Sequence, residues 1–240
     1  MVVDEPGSNG NERVTENRER GWLVAWCAWT VLSIAFSLAV SGPTPDAVTR
    51  VGVLAFLLPQ AAFRTRVLHA LNGRSPRFRY VALATLLAAG VEGLHMISTP
   101  VFGSLRIDAS IPLPEALRRY GIDLLFTVPS YLVIFSVMFA VLERVAYTPL
   151  QYAFIAALGQ TLGDGGLVFF IGAPAMLLFV PYPMTNYVAC NLLPYLAVRH
   201  DLRPTDTSAL HAWLAVPLIV VTYFACGAVI KVAGSQFGLH

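Results

Sequence analysis

Glu92, His95 and Asp164 are ionisable side chains set in long apolar runs, where a charge is expensive and therefore informative. Glu92, His95, Met96 and Thr99 lie in GVEGLHMISTP (90–100) at spacing i, i+3, i+4 and i+7, one face of a helix. That spacing places His95 to hydrogen-bond Glu92, or to pair with Asp164 as imidazolium. Two carboxylates in one dry cavity cannot easily both ionise, so one can act as acid and the other as base. The expected catalytic group is Glu92 as general acid toward an alkene, epoxide or carbonyl. Asp164 is the anionic partner, and His95 orients Glu92 or relays its proton. Tyr182 and Tyr223 could stabilise positive charge through their ring faces. With Asn186, Gln160 and Thr99 they form the expected substrate-binding set.

The elements that position these groups follow from composition. Of 240 residues, 56% are hydrophobic and 12% charged, with a mean hydropathy of +0.65. A soluble domain carries about twice that share of charge. The charges collect between apolar runs long enough to cross a hydrocarbon core of about 30 Å. An all-α, polytopic membrane bundle is the fold class this predicts, with 1–20 as a disordered polar tail and 21–240 as one transmembrane domain. Seven spans are expected at about 21–41, 48–68, 79–100, 121–142, 149–171, 174–198 and 210–232. The second is the weakest, with Arg50 and Arg64 expected to snorkel outward from its ends.

Arg64, Arg66, Arg74, Arg77 and Arg79 crowd around the turn Asn72-Gly73, which the positive-inside rule places on the cytoplasmic side. The amino terminus is then inside and the carboxyl terminus outside. The segment 101–120, with Arg106, Arg118 and Arg119, conflicts with its outside assignment, and PEALRRYG within it reads as a short interfacial helix. Trp22, Trp26, Trp29 and Trp213 fit an interfacial aromatic belt.

Depth is counted at 1.5 Å per residue from the cytoplasmic end of each span. Glu92 then stands at about 20 Å, His95 at about 24 Å and Asp164 at about 22 Å, with Tyr182 and Tyr223 at about 20–21 Å. Gln160 and Asn186 fall at about 15–16 Å. Polar groups from four predicted spans thus converge on one layer. In ALGQTLGDGG (157–166), Gly159 and Gly163 have the spacing that permits close helix approach. The glycines around Asp164 allow a break, but a continuous helix is the preferred expectation. Pro181, Pro183 and Pro194 make the sixth span the most irregular. Asp123 is expected to favour the positive end of the fourth helix near the outer surface.

No nucleophile elbow, zinc-protease helix, phosphate loop or dinucleotide fingerprint occurs. Glu92-x-x-His95 is the pair that di-iron bundles use, but a second such pair is missing, so no metal and no cofactor are expected. Cys27, Cys190 and Cys226 lack metal or redox spacing. The leading functional expectation is an acid–base enzyme of cyclase or isomerase type on a lipid-soluble, isoprenoid-like molecule. A proton- or ion-coupled transporter or channel is the alternative, and a structural subunit the third. Membrane lipids and an apolar small molecule are the expected partners, nucleic acid is not, and a homo-oligomer is compatible with the sequence. The expected location is a bacterial-type plasma membrane.

Overall fold

A computed structural model describes the backbone of residues 8–240 and side chains from Gly21 onward. It is built from helices, and no strand occurs among the described residues. The helices are α1 (Ser8–Ser41), α2 (Pro45–Ala70), α3 (Pro76–His95), α4 (Leu113–Leu142), α5 (Pro149–Thr161), α6 (Leu167–Gly172), α7 (Pro181–Val198) and α8 (Ala209–Gln236). A π turn, Leu162–Gly166, joins α5 to α6, and 3-10 turns occupy Gly103–Leu105 and Pro174–Phe179.

Three helices begin with the same local device. Thr44, Ser75 and Thr148 each accept a bond from a backbone N–H three residues on, and each is followed by a proline in the first turn. The hydroxyl satisfies a donor that the helix cannot, while proline supplies a fixed φ where its missing N–H is not needed. Gly42, at φ +70°, ends α1 in the left-handed conformation that side chains resist.

Five segments are long and apolar enough to cross a membrane: Gly21–Ser41, Pro45–Ala70, Leu113–Leu142, Pro149–Gly172 and Ala209–Gln236. Their outward faces carry large apolar side chains such as Leu58, Leu125, Ile171 and Val221. Such surface is costly in water and suited to lipid. The two remaining long helices, α3 and α7, are the more polar and the more enclosed. α7 packs against α1, α2, α3 and α5, while α4 and α8 close the bundle through contacts with α3, α5 and each other. Polar side chains are tolerated on α7 because neighbouring helices, not lipid, surround it.

The loops sort to two ends. At one end Arg79 pairs with Asp201, and Ala146 N–H donates to the Asp206 carbonyl at 2.8 Å. This brings the arginine-rich turn, the α4–α5 loop and the α7–α8 loop together. At the other end the Ser104 N–H donates to the His240 carbonyl at 2.9 Å, and Thr49 bonds Ser98.

The backbone of residues 8–20 runs helically into α1, and 1–7, the start of the expected polar tail, lie outside the described residues. No proline interrupts 8–20, and extending an existing helix is far easier than starting one. Other sequence expectations are corrected. PEALRRYG is not a separate interfacial helix. It is the start of the unbroken thirty-residue α4, where Glu115 binds Arg118 and Arg119 along one turn. The expected sixth span begins with a 3-10 turn and becomes α-helical only at Pro181.

Candidate functional site

The fifth span breaks at Asp164. The backbone there leaves helical geometry, with Asp164 at φ −85°, ψ +39° and Gly165 at φ +90°, ψ −13°. This overturns the expected continuous helix, for a steric reason. Gly159 and Gly163 let α5 press against α8 so closely that a Cβ on Gly163 would lie 2.5 Å from the Cβ of Tyr223. Gly165 then supplies the left-handed residue that turns the chain away. Opening the helix exposes Asp164 on the bundle surface, yet its carboxylate turns to α7, where Tyr187 donates to Oδ2 at 2.5 Å.

Glu92 is enclosed between α3 and α4. Tyr131 donates to its Oε2 at 2.7 Å. Asp123 of α4 has no exposed surface and stands close enough to Glu92 for their charges to interact; both of its carboxyl oxygens, like Glu92 Oε1, are enclosed without a hydrogen-bond partner. Asp123 is therefore no helix-start residue. α4 begins at Leu113, ten positions earlier than Asp123, and carries it three turns into the protein. A hydrogen bond between two carboxyl groups needs a proton on one of them, so Glu92 and Asp123 can form an acid pair. Asp164 is close enough to Glu92 for the two carboxyl charges to interact.

His95 does not bond to Glu92 or Asp164. One ring nitrogen, Nδ1, pairs with Thr99 Oγ1 at 3.0 Å, and the other, Nε2, accepts from Asn186 Nδ2 at 2.7 Å. With Nε2 as acceptor, Nδ1 carries the proton and donates to Thr99. The expected four-residue helical stripe is cut short, because α3 ends at His95 and Thr99 lies beyond its cap, and the three-residue spacing directs His95 toward α7 and Glu92 toward α4. Helix packing decides that split.

Arg50 does not snorkel outward. It is buried in the second turn of α2, donates from Nη2 to Asp46 Oδ1 at 3.2 Å, and stacks over Tyr182 at 5.0 Å from the ring centre. Tyr182 donates to Asp46 Oδ2 at 2.6 Å. Tyr182 thus belongs with Asp46 and Arg50, while Asn186, one turn on, belongs with His95.

Gln160 and Tyr223 form a third group deeper in the bundle. Tyr223 donates to Gln160 Oε1 at 3.1 Å, and Gln160 Nε2 donates to Asn191 Oδ1 at 3.2 Å. Asn191 also accepts from Tyr80 at 3.4 Å, and Tyr80 bonds Tyr152. These groups satisfy one another, which marks them as packing polarity more than ligand contacts.

The eight sequence-predicted residues therefore fall into separate groups instead of one layer: Glu92 with Tyr131 between α3 and α4, and along α7 Asp164 with Tyr187, His95 and Thr99 with Asn186, Tyr182 with Asp46, and Gln160 and Tyr223 with Asn191. Asp46, Arg50, Asp123, Tyr131, Tyr187 and Asn191 were missed. The expected spans leave Asp46 just outside the second and put Arg50 and Asp123 at helix ends, and tyrosines are too frequent at interfaces to stand out. Comparison with protein-family models, curated proteins and solved structures gives no match for this chain.

Proposed function

We propose that this chain is a membrane-embedded acid–base enzyme that isomerises or cyclises a lipid-soluble, isoprenoid-like molecule, in a bundle that α3 and α7 bring to seven crossings. The observation that carries the reading is the burial of two carboxyls side by side, Glu92, which accepts from Tyr131, and Asp123, whose oxygens are enclosed and unpaired, with a third, Asp164, within electrostatic range. The pair holds the proton to be given, and Asp164 receives the one to be taken. For a double-bond shift, the pair protonates one alkene carbon and positive charge forms on its neighbour. Asp164 removes a proton from the carbon beyond. Atoms balance without a co-reactant, and the proton returns from Asp164 to the pair between turnovers. The rings of Tyr187 and Tyr223, edge to face at 6.2 Å, offer electron-rich surfaces to the developing cation. The break at Asp164 gives an apolar molecule a lateral approach from lipid.

The test is turnover. Lipid-soluble molecules that co-purify with the protein are identified by mass spectrometry and supplied to wild type and Glu92→Gln. Loss of turnover in a folded Glu92→Gln protein supports the assignment, and retained turnover refutes it.

A second reading, a proton-coupled carrier, is favoured by one observation. Tyr182, Asn186, Tyr187, Asn191 and Tyr195 run polar groups down the whole of α7, beside a helix broken at a carboxylate. Proton uptake into liposomes holding the purified protein, abolished by Asp164→Asn, would select this reading over the enzyme.

A further inference from the structure

Arg50 is buried, with 8% of its surface exposed, yet its donors are not all used. Nη2 reaches Asp46, but Nε and Nη1 are enclosed with no acceptor. Nearby, Asn186 spends its amide N–H on His95 and leaves Oδ1 enclosed with no donor. Two contacts draw together the segments of α2, α3 and α7 that carry these orphans, and the seam between them is the Arg50 cleft. Tyr182, under the Arg50 guanidinium, is one turn before Asn186 on α7. Thr49, next to Arg50, bonds the Leu94 carbonyl at 3.2 Å and Ser98 at 2.9 Å, which draws the start of α2 onto the end of α3 that bears His95. Buried polar groups without partners are rare because they forfeit their hydration, so this cleft is built to be completed by something else.

The chemistry of the missing group follows from what is unpaired. It must accept from the guanidinium and donate to an amide oxygen. A carbonyl would leave Asn186 Oδ1 unpaired, and a hydrocarbon would leave both sides unpaired. An ionised head group meets the wrong field, because Asp46 already pairs with Arg50 and Asp164 lies within electrostatic range of the same guanidinium. A hydroxyl does both tasks without charge. From His95 back to Glu92 is three residues, about 4.5 Å along the helix axis. A hydroxyl held in the cleft would thus set an attached chain beside the acid pair.

We propose that Arg50 and Asn186 bind the hydroxyl of a lipid-soluble alcohol whose apolar chain extends toward Glu92. This names the substrate class for the proposed enzyme and rests on that reading for the placement of the chain, but not for the binding itself. The test uses the full chain in lipid nanodiscs and three probes of equal length: oleyl alcohol, 1-octadecene and oleate. Binding is read by native mass spectrometry and by thermal shift. Oleyl alcohol should bind about tenfold or more tighter than either other probe, because a site with buried polar groups rejects a ligand that leaves them unpaired. Arg50→Lys, which keeps the charge beside Asp46, and Asn186→Leu should each erase most of that preference. Equal binding of 1-octadecene, tighter binding of oleate, or a preference unchanged in both variants would overturn the proposal. So would no binding above empty nanodiscs, which would assign the cleft to water. The wild-type comparison decides even if a variant fails to fold. Alcohol binding that persists in Glu92→Gln, with turnover also unchanged, would refute the enzyme and leave the binding site standing.

Discussion

Tyr131 and Asp123, two turns apart on α4, meet Glu92 of α3 differently: the Tyr131 hydroxyl donates to Oε2 at 2.7 Å, while the Asp123 carboxyl is enclosed within electrostatic range of the same group with both oxygens unpaired. One helix thus supplies a neutral donor and an acid to a single buried carboxyl on its neighbour. A glutamine at position 92 can still accept from Tyr131 and donate to Asp123, whereas leucine can do neither. Glu92→Gln should change thermal stability by less than about 1 kcal/mol, and Glu92→Leu should cost about 2–5 kcal/mol. Unfolding in mixed micelles measures both, and equal losses would contradict the pair.

A proton held between Glu92 and Asp123 has a spectroscopic mark. Infrared difference spectra should contain the carbonyl stretch of a protonated carboxyl that disappears in Glu92→Gln and shifts in Asp123→Asn. If neither variant alters that region, the two groups do not share a proton.

The break at Asp164 depends on two glycines with different duties. Gly163→Ala drives a Cβ into Tyr223 and should destabilise by about 1–3 kcal/mol through overpacking. Gly165→Ala meets open space, but places a side chain at φ +90°, and should cost about 1–2 kcal/mol from backbone strain alone. A Tyr223→Gly background, which removes the Cβ that Gly163→Ala would strike, should relieve most of the first loss and leave the second unchanged, which a double-mutant melt can read.

The Gln160 network ties α5, α7 and α8 together in the interior. Gln160→Leu removes the partner of Tyr223 and one of the donors to Asn191, so a loss of about 1–3 kcal/mol is expected. Alcohol binding at the Arg50 cleft should be unaffected. A variant that melts normally but loses binding would move Gln160 into the site.

At the opposite end, the loop between α7 and α8 has its own acid dependence. The Ser208 N–H donates to Asp206 Oδ1 at 2.7 Å, and with His211 nearby it holds the Asp206 carboxyl below the usual carboxylate range. A carboxyl that ionises more readily when folded adds stability above its unfolded range and loses it as pH falls through the folded value. Amide exchange at 144–146 and 206–208 should therefore be flat near neutrality and speed up only in acid below the ordinary aspartate range. Asp206→Asn should remove that acid-dependent step. An exchange rate that climbs instead toward alkaline pH, beyond intrinsic chemistry, would contradict the assignment.

The sequence by itself determined that this chain is helical and apolar enough to lie in a membrane. Alternation of apolar runs with charge clusters is a one-dimensional property, and lipid enforces it segment by segment. It also marked Glu92, His95, Asp164 and Asn186, since any polar group in an apolar run declares itself by cost alone. The nearness of His95 and Thr99 is also local, although the chain has left the helix by Thr99 and reaches it through the turn after His95. Which residue meets which was left to tertiary structure. Asp46, Arg50 and Asp123 sit close to predicted helix ends, where water or lipid head groups would explain them. Only the packing of α2 on α3 and α7, and of α4 on α3, shows that they are buried. The break at Asp164 belongs to the same class, because glycine permits both a continuous helix and a turn. The close approach of Tyr223 from α8, a residue far along the chain, selects between them.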